Sequence, residues 1–205
     1  WGEISPGQSV NYVEAHDNLT LADKLVTSMP RAGAAERSRV FRLASSIALL
    51  AQGLPFIHAG QEFMRSKNGD DNSYKSSDAV NSLKWASREK NMSTVNYFAG
   101  LLTLRKLHPS FRMSTTKSVV SNLKFLPSSQ SVIAYSLNGA GAGDSWKKIV
   151  VAHNSSTKAM TLTLPSAGNW QIVVNGDKAG VKTLQTLKAV KTATLPAQTT
   201  LVLHS

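Results

Sequence analysis

The apolar period changes once along this chain of 205 residues, near Lys117, and that switch limits the folds open to it. Before it, apolar residues recur at three- and four-residue spacing between short strand-like runs. After it, they alternate with polar ones. The expected fold class is therefore α/β plus all-β: a strand-and-helix unit followed by an antiparallel β-sandwich.

In the first half, Val10–Ala15 reads as a strand and Leu21–Ser28 as two helical turns, with Thr20 as N-cap and Asp23 in the first turn. Ala34–Gln52 reads as a long helix whose apolar face is Val40, Leu43, Ala44, Ile47, Leu50 and Ala51. Glu36, Arg37, Arg39 and Arg42 lie on its other side, and Gly53 follows as the C′ residue. Leu54–Ala59 is a short buried strand, so strand, long helix and strand form a right-handed parallel unit. The polar stretch Arg65–Asp78 is long for a connector and reads as a functional loop. Thr94–His108 is a helix that Pro109 stops. In the second half the strands are Val119–Leu126, Ser131–Asn138, Lys148–His153, Ala159–Leu164, Trp170–Asn175, Val190–Leu195 and Thr199–His204.

Composition removes several classes of function. With no cysteine, the chain has no disulfide, thiolate zinc site or cysteine nucleophile. Its longest apolar run, Leu43–Ala51, is broken by Ser45 and Ser46, against the ~20 residues a membrane span needs. The opening Trp1–Pro6 is not a signal peptide, and the absence of an initial Met suggests a start inside a longer protein. The net charge of +11 invites a polyanion partner. Residues 114–205 hold nine Lys against only Asp144 and Asp177, but apart from the adjacent Lys147-Lys148 these lysines sit singly among Thr, Ser and Val. That spacing is the solvated face of a sheet, and no nucleic-acid partner is expected.

His16-Asp17-Asn18 falls just after the first strand, and His58, Gln61 and Glu62 fall at or beyond the second. Ligands and catalysis gather at the carboxyl ends of parallel strands, so these residues could line one polar mouth. A strand followed by Asp-Asn also spells an ordinary turn or N-cap, and spacing alone leaves both readings of Asp17 open. The five histidines lack metal-binding spacing, and no Gly-x-Ser-x-Gly or phosphate-binding glycine fingerprint occurs. Asp70-Asp71-Asn72 lacks the EF-hand spacing and reads as a polar turn, so no metal or cofactor site is expected. A rival reading makes the β half a non-catalytic carbohydrate-binding or cell-surface module, with Trp146, Trp170 and Tyr135 stacking on sugars; the bland alternative puts these aromatics in the core.

Three ordered motifs carry a resemblance. Tyr12–Leu25 is similar to the fourth characteristic region of the α-amylase superfamily, in the form found in bacterial type I pullulanases. Gly53–Phe63 resembles the superfamily block on the eighth barrel strand, and Arg65–Tyr74 with Asp78, Asn81 and Trp85 resembles the pullulanase loop after it. The resemblance implies that residues 1–113 are the carboxyl-terminal portion of a (β/α)8 TIM barrel, its seventh and eighth strands, and that 114–205 are the β-sandwich domain. A complete barrel takes about 250 residues, so most of it would lie upstream. The implied activity is retaining hydrolysis of α-1,6-glucosidic branch links in pullulan, starch or glycogen-type α-glucans. Asp17 resembles the third catalytic carboxylate, and His16 the histidine that bonds hydroxyls of the cleaved sugar. Asp71, Asn72 and Tyr74 match positions that approach the neighbouring glucose units. Glu62 matches a structural position, and Ala22 departs from the Trp usual there. The nucleophile and general acid would lie in a missing amino-terminal part. Structural calcium would belong to the parent enzyme, and an extracellular or cell-surface setting fits better than a cytoplasmic one. Alone, the chain is expected to be inactive, with the barrel part needing its partner and the sandwich able to fold by itself.

Overall fold

The strand-and-helix half opens with a parallel pair in the computed structural model, which describes residues 5–205. Trp1–Ile4, most of the segment read above as no signal peptide, lies outside the described residues. β1 (Val10–Asn11) lies parallel to β2 (Leu54–Pro55), with Val10 opposite Leu54. Both strands are much shorter than their apolar patterns suggest, because a two-stranded ladder has no further neighbour to extend it. Val10, Tyr12, Leu54 and Phe56 are left exposed, Tyr12 and Phe56 meeting edge to face at 5.9 Å.

Between these strands run α1 (Leu21–Ser28) and α2 (Ala34–Leu50). Thr20 caps α1 as read, its hydroxyl accepting from the Asp23 N–H at 3.2 Å. α2 departs from a simple two-faced helix. Phe41, Leu43, Ala48, Leu49 and Leu50 are buried, but so are Arg42, Ser45 and Ser46, while Ile47 is exposed. The cause is tertiary: α1 and α5 (Met92–Leu107) pack on α2, and the β-sheet packs on it as well. Arg42 meets that environment by donating from Nε to the Gly176 carbonyl at 2.7 Å and from Nη2 to Asp177 at 3.2 Å. Gly53 is not the C′ residue, since Ala51 is the C-cap. It instead takes φ +101° where a Cβ would lie 2.7 Å from the Ser9 carbonyl oxygen, so only glycine lets the chain enter β2.

Two short helices, α3 (Asp78–Asn81) and α4 (Ala86–Lys90), precede α5, and α6 (Thr116–Asn122) follows it. α6 corrects the strand read over Val119–Leu126. Thr115 caps it through the Ser118 N–H at 3.1 Å, and Val119 and Leu123, four apart, both face the helical core. Tertiary packing overrides β-branched propensity there, and only β3 (Leu123–Phe125) is extended.

The remaining strands are β4 (Val132–Asn138), β5 (Lys148–Asn154), β6 (Met160–Val174), β7 (Gln185–Leu195) and β8 (Thr199–His204). With β3 they form one antiparallel sheet in the order β3-β4-β5-β8-β6-β7. The segments Ala159–Leu164 and Trp170–Asn175 are thus one strand, not two. Pro165–Asn169 is a bulged bend inside it, marked by register shifts around Gly168. The bend lets Leu162, Leu164, Ala193 and Leu195 fold over Val132, Ala134, Val150, Ala152, Leu201 and Leu203, enclosing a second core. Alternate residues of the same strands, Tyr135, Leu137, Ile149, Val151 and Val202, enter the first core with Phe41, Leu50, Tyr97, Phe98 and Leu101 of the helices.

Residues 114–205 share this first core with the helices. Removing the helices would uncover apolar side chains whose burial is worth about 1.5–3 kcal/mol each. The sugar-stacking reading of the aromatics fails on burial. Trp170 is fully enclosed, and Tyr135 is buried with its hydroxyl donating to the Leu50 carbonyl at 3.2 Å. Trp146 is stacked between His108 and His204, with ring centroids 3.5 and 3.8 Å away.

Candidate active site

The polar mouth is built from the two strand ends. Glu14, just beyond β1, is buried, and one carboxylate oxygen accepts the Leu21 N–H at the start of α1 at 2.6 Å. The other lies 3.1 Å from His58 Nδ1 beyond β2, and Arg65 Nη1 lies 3.4 Å from His58 Nε2. An arginine only donates, so the network assigns the imidazole proton to Nδ1, which donates to Glu14. Burial pushes the Glu14 carboxyl up to about 7. Burial, and then the charge of Arg65, holds His58 below its ordinary value. Arg65 also donates to the Asn81 carbonyl, so both strand ends, α1 and the following loop are tied together.

His16 and Asp17 project from this base into solvent, their side chains 82% and 84% exposed and 3.6 Å apart. Asn18 turns the chain with φ +65°. α1 is capped by Thr20, so Asp17 is not spent as an N-cap. Among the described residues its one polar partner is His16. The carboxylate is presented, not consumed by the fold.

The loop after β2 is anchored against this turn. Asp23, buried in the first turn of α1, accepts from the Ser66 hydroxyl at 2.5 Å and from the Lys67 N–H at 2.8 Å. Lys67 is buried too, and Nζ donates to the His16 carbonyl at 3.0 Å and to Ser73 Oγ at 2.7 Å. Asp70 forms the expected turn, accepting from the Asn72 N–H at 3.0 Å and from the Ser76 hydroxyl at 2.5 Å. Those bonds, the Ser76 one foremost, hold its carboxyl below the usual range. Asn81 closes the loop by donating to the Ser73 and Ser76 carbonyls at 2.7 and 2.9 Å. Asp71, Asn72 and Tyr74 point outward from this frame, Tyr74 being 73% exposed with Lys75 Nζ 5.2 Å from its ring centroid.

The structure therefore brings the His16–Asp17 turn and the Asn72–Tyr74 loop together through Lys67. Glu62 sits in a 3₁₀ turn, Gln61–Phe63, and makes none of these hydrogen bonds. Ala22 packs against the helical core. Sequence reading missed Asp23 and Lys67 as anchors, since neither pairing has a local signature; the partners lie more than 40 residues apart along the chain. Among the described residues no three His, Asp or Glu side chains gather as metal ligands, and no helix is long and apolar enough to cross a membrane. Chemically, an exposed carboxylate paired with an exposed imidazole suits bidentate contact with hydroxyl groups. One carboxylate does not make a double-displacement centre, which needs two about 5–5.5 Å apart.

Residues 119–178 match the family described as pullulanase, all-beta domain. The pullulanase of Bacillus subtilis strain 168 is 44% identical over 161 residues, covering 78% of this chain and 22% of that protein. The solved structure of pullulanase from Bacillus acidopullulyticus superposes with a TM-score of 0.93 at 38% identity, covering 98% of this chain and 24% of that one. The structure of the Paenibacillus barengoltzii pullulanase, a complex with maltohexaose and α-cyclodextrin, gives a TM-score of 0.88 at 39% identity over 98% of this chain and 30% of that one. The chain thus spans about a quarter of the length of these relatives.

Proposed function

This chain belongs to the pullulanase family, and from that premise we propose that it is the carboxyl-terminal part of a retaining debranching hydrolase acting on α-1,6-glucosidic links in pullulan and related α-glucans. β1 and β2 are the seventh and eighth strands of its barrel, residues 1–113 its barrel portion and 114–205 its β-sandwich domain. The parallel pairing of β1 with β2 supports this, as do the apolar side chains of Val10, Tyr12, Leu54 and Phe56, left uncovered where further strands would pack.

The observation that carries the reading is Asp17: a carboxylate beyond the end of a parallel strand, relieved of capping by Thr20, paired with His16 and facing out. Its role is to orient the cleaved sugar and favour its distortion, with His16 bonding hydroxyls of the same ring. Asp71, Asn72 and Tyr74 contact the adjacent glucose units. The nucleophile and the proton donor come from the upstream polypeptide, because a carboxylate that only orients substrate supplies neither.

The test is release of reducing sugar from pullulan by the purified chain, with and without the upstream polypeptide of the same enzyme. Activity is expected only from the mixture. Turnover by the chain alone, free of contaminating enzyme, would overturn the assignment.

A further inference from the structure

Lys67 is a buried ammonium whose surroundings call for explanation. Long basic side chains ordinarily bury the stem and leave the head in water. Here the whole residue is 3% exposed, and among the described residues no carboxylate lies within ion-pair distance of Nζ. Burying a charge in this way is costly unless it is well hydrogen-bonded, and an apolar side chain of similar volume would generally serve stability as well or better. Simple core filling therefore does not account for a lysine here.

Its partners do. Nζ donates to the carbonyl of His16, the residue before Asp17, and to the hydroxyl of Ser73, the residue between Asn72 and Tyr74. The lysine backbone is itself fixed, since its N–H donates to Asp23 Oδ2 at 2.8 Å and the neighbouring Ser66 hydroxyl donates to Oδ1. Asp23 in turn accepts from the Thr20 hydroxyl, which caps α1. The head of Lys67 thus spans two surface segments from a base set by α1. Neither segment is otherwise hydrogen-bonded directly to the other among the described residues.

We propose that Lys67 is a positioning residue, holding the Asp17–His16 turn in register with the Asn72–Tyr74 loop so that one glucan chain engages both. This rests on the carbohydrate-hydrolase reading above and adds to it the residue that joins the two parts of the site. Hydrogen bonds to a charged group are directional, so losing them frees the turn and the loop to move independently without removing any group that touches sugar.

The experiment compares Lys67→Met, Ser73→Ala and Asp17→Asn in the chain joined to its upstream polypeptide, with pullulan as substrate and active enzyme counted by its folded fraction. Ser73→Ala cuts only the loop half of the strut and is expected to raise KM about fivefold with kcat within about twofold. Lys67→Met cuts both halves and is expected to lower kcat as well, with kcat/KM falling about 100-fold. A merely structural lysine would instead reduce the folded fraction and leave KM and kcat per folded enzyme unchanged. That result, with Asp17→Asn inactive, overturns the proposal while sparing the functional reading; near-normal turnover by Asp17→Asn overturns the functional reading itself. Should Lys67→Met fail to fold, the KM of Ser73→Ala still decides.

Discussion

Replacing Arg105 by methionine tests how α5 is held against the end of α2 and the passage into β2. Arg105 projects from α5, and its buried guanidinium is shared among four backbone carbonyls. Nη1 donates to Leu49 at 3.1 Å and to Ala51 and Phe111 at 2.7 Å, and Nη2 donates to Gly53 at 2.5 Å. Three of these acceptors belong to the end of α2 and the passage into β2, so one side chain caps a helix and sets a strand. Burial holds the guanidinium below its usual range, a sign of the desolvation that its acceptors offset. Methionine keeps the stem and loses every donor. Each charged hydrogen bond is worth about 1.5–3 kcal/mol, but two effects return part of that sum. The lost charge no longer needs desolvating, and water can reach Gly53 through the open cleft of about 380 Å³ that it lines with Arg105. A net loss of about 3 kcal/mol remains, which lowers the melting temperature of a chain this size by about 6–12 °C. Lysine, with one point donor in place of a planar fork, should fall between. Thermal unfolding followed by circular dichroism reads the result. A methionine variant melting within about 2 °C of the parent would refute the reasoning, since the α2 carbonyls would then need no guanidinium.

The pH dependence of stability carries a worked sign. His153 is buried with Nδ1 2.8 Å from the Thr200 hydroxyl, and burial depresses it to about 4. The unfolded chain therefore binds a proton that the folded one refuses, so stability falls from pH 6.5 towards 4 by up to about 1.4 kcal/mol per unit. His153→Gln should flatten that fall in urea midpoints measured across this window, and an unchanged slope would count against it. Glu14, raised to about 7, works in the opposite sense, losing stability as pH rises from 4.5 to 7. Glu14→Gln should accordingly steepen the acid loss over the overlap of the two windows. Gly100 on α5 faces the Ala179 carbonyl so closely that a Cβ would lie 2.0 Å from its oxygen. Gly100→Ala should push helix and sheet loop apart at a cost of about 1–3 kcal/mol, and a neutral substitution would show that the contact is not close.

What sequence could and could not disclose follows from the range of the interactions. α5 is marked by its own periodicity and by Pro109, and β4, β5 and β8 by short apolar runs whose two faces both cores then use, so these were legible. The parallel pairing of β1 and β2 followed from the long helical pattern between them. α6 was not legible, because Val119 and Val120 favour a strand until Thr115 and the helical core are in place. Nor was the continuity of β6, where Pro165 and Gly168 spell a turn and the sheet makes a bend of them. Arg42 reads as a residue of the polar side of its helix because charge reads as exposure, yet it is buried, and so are Lys67 and Arg105, each against carbonyls supplied by distant segments. The site divides in the same way. His16 and Asp17 stand out as a local motif after a strand, whereas the links from Asp23 to Lys67 and from Lys67 to His16 exist only once the loop has folded back.

The central claim is that Asp17 is the one catalytic carboxylate this chain contributes. Its side chain is exposed, caps no helix and pairs only with His16 among the described residues, so Asp17→Asn removes one charge while leaving the fold almost untouched. The measurement is kcat/KM on pullulan for Asp17→Asn in the chain joined to its upstream polypeptide, beside the melting temperature of the same preparation. A fall of about 1,000-fold or more with an unchanged melting temperature is the expected outcome, in keeping with the loss of a preorganised charge at a reacting centre. Turnover within tenfold of the parent would contradict the account.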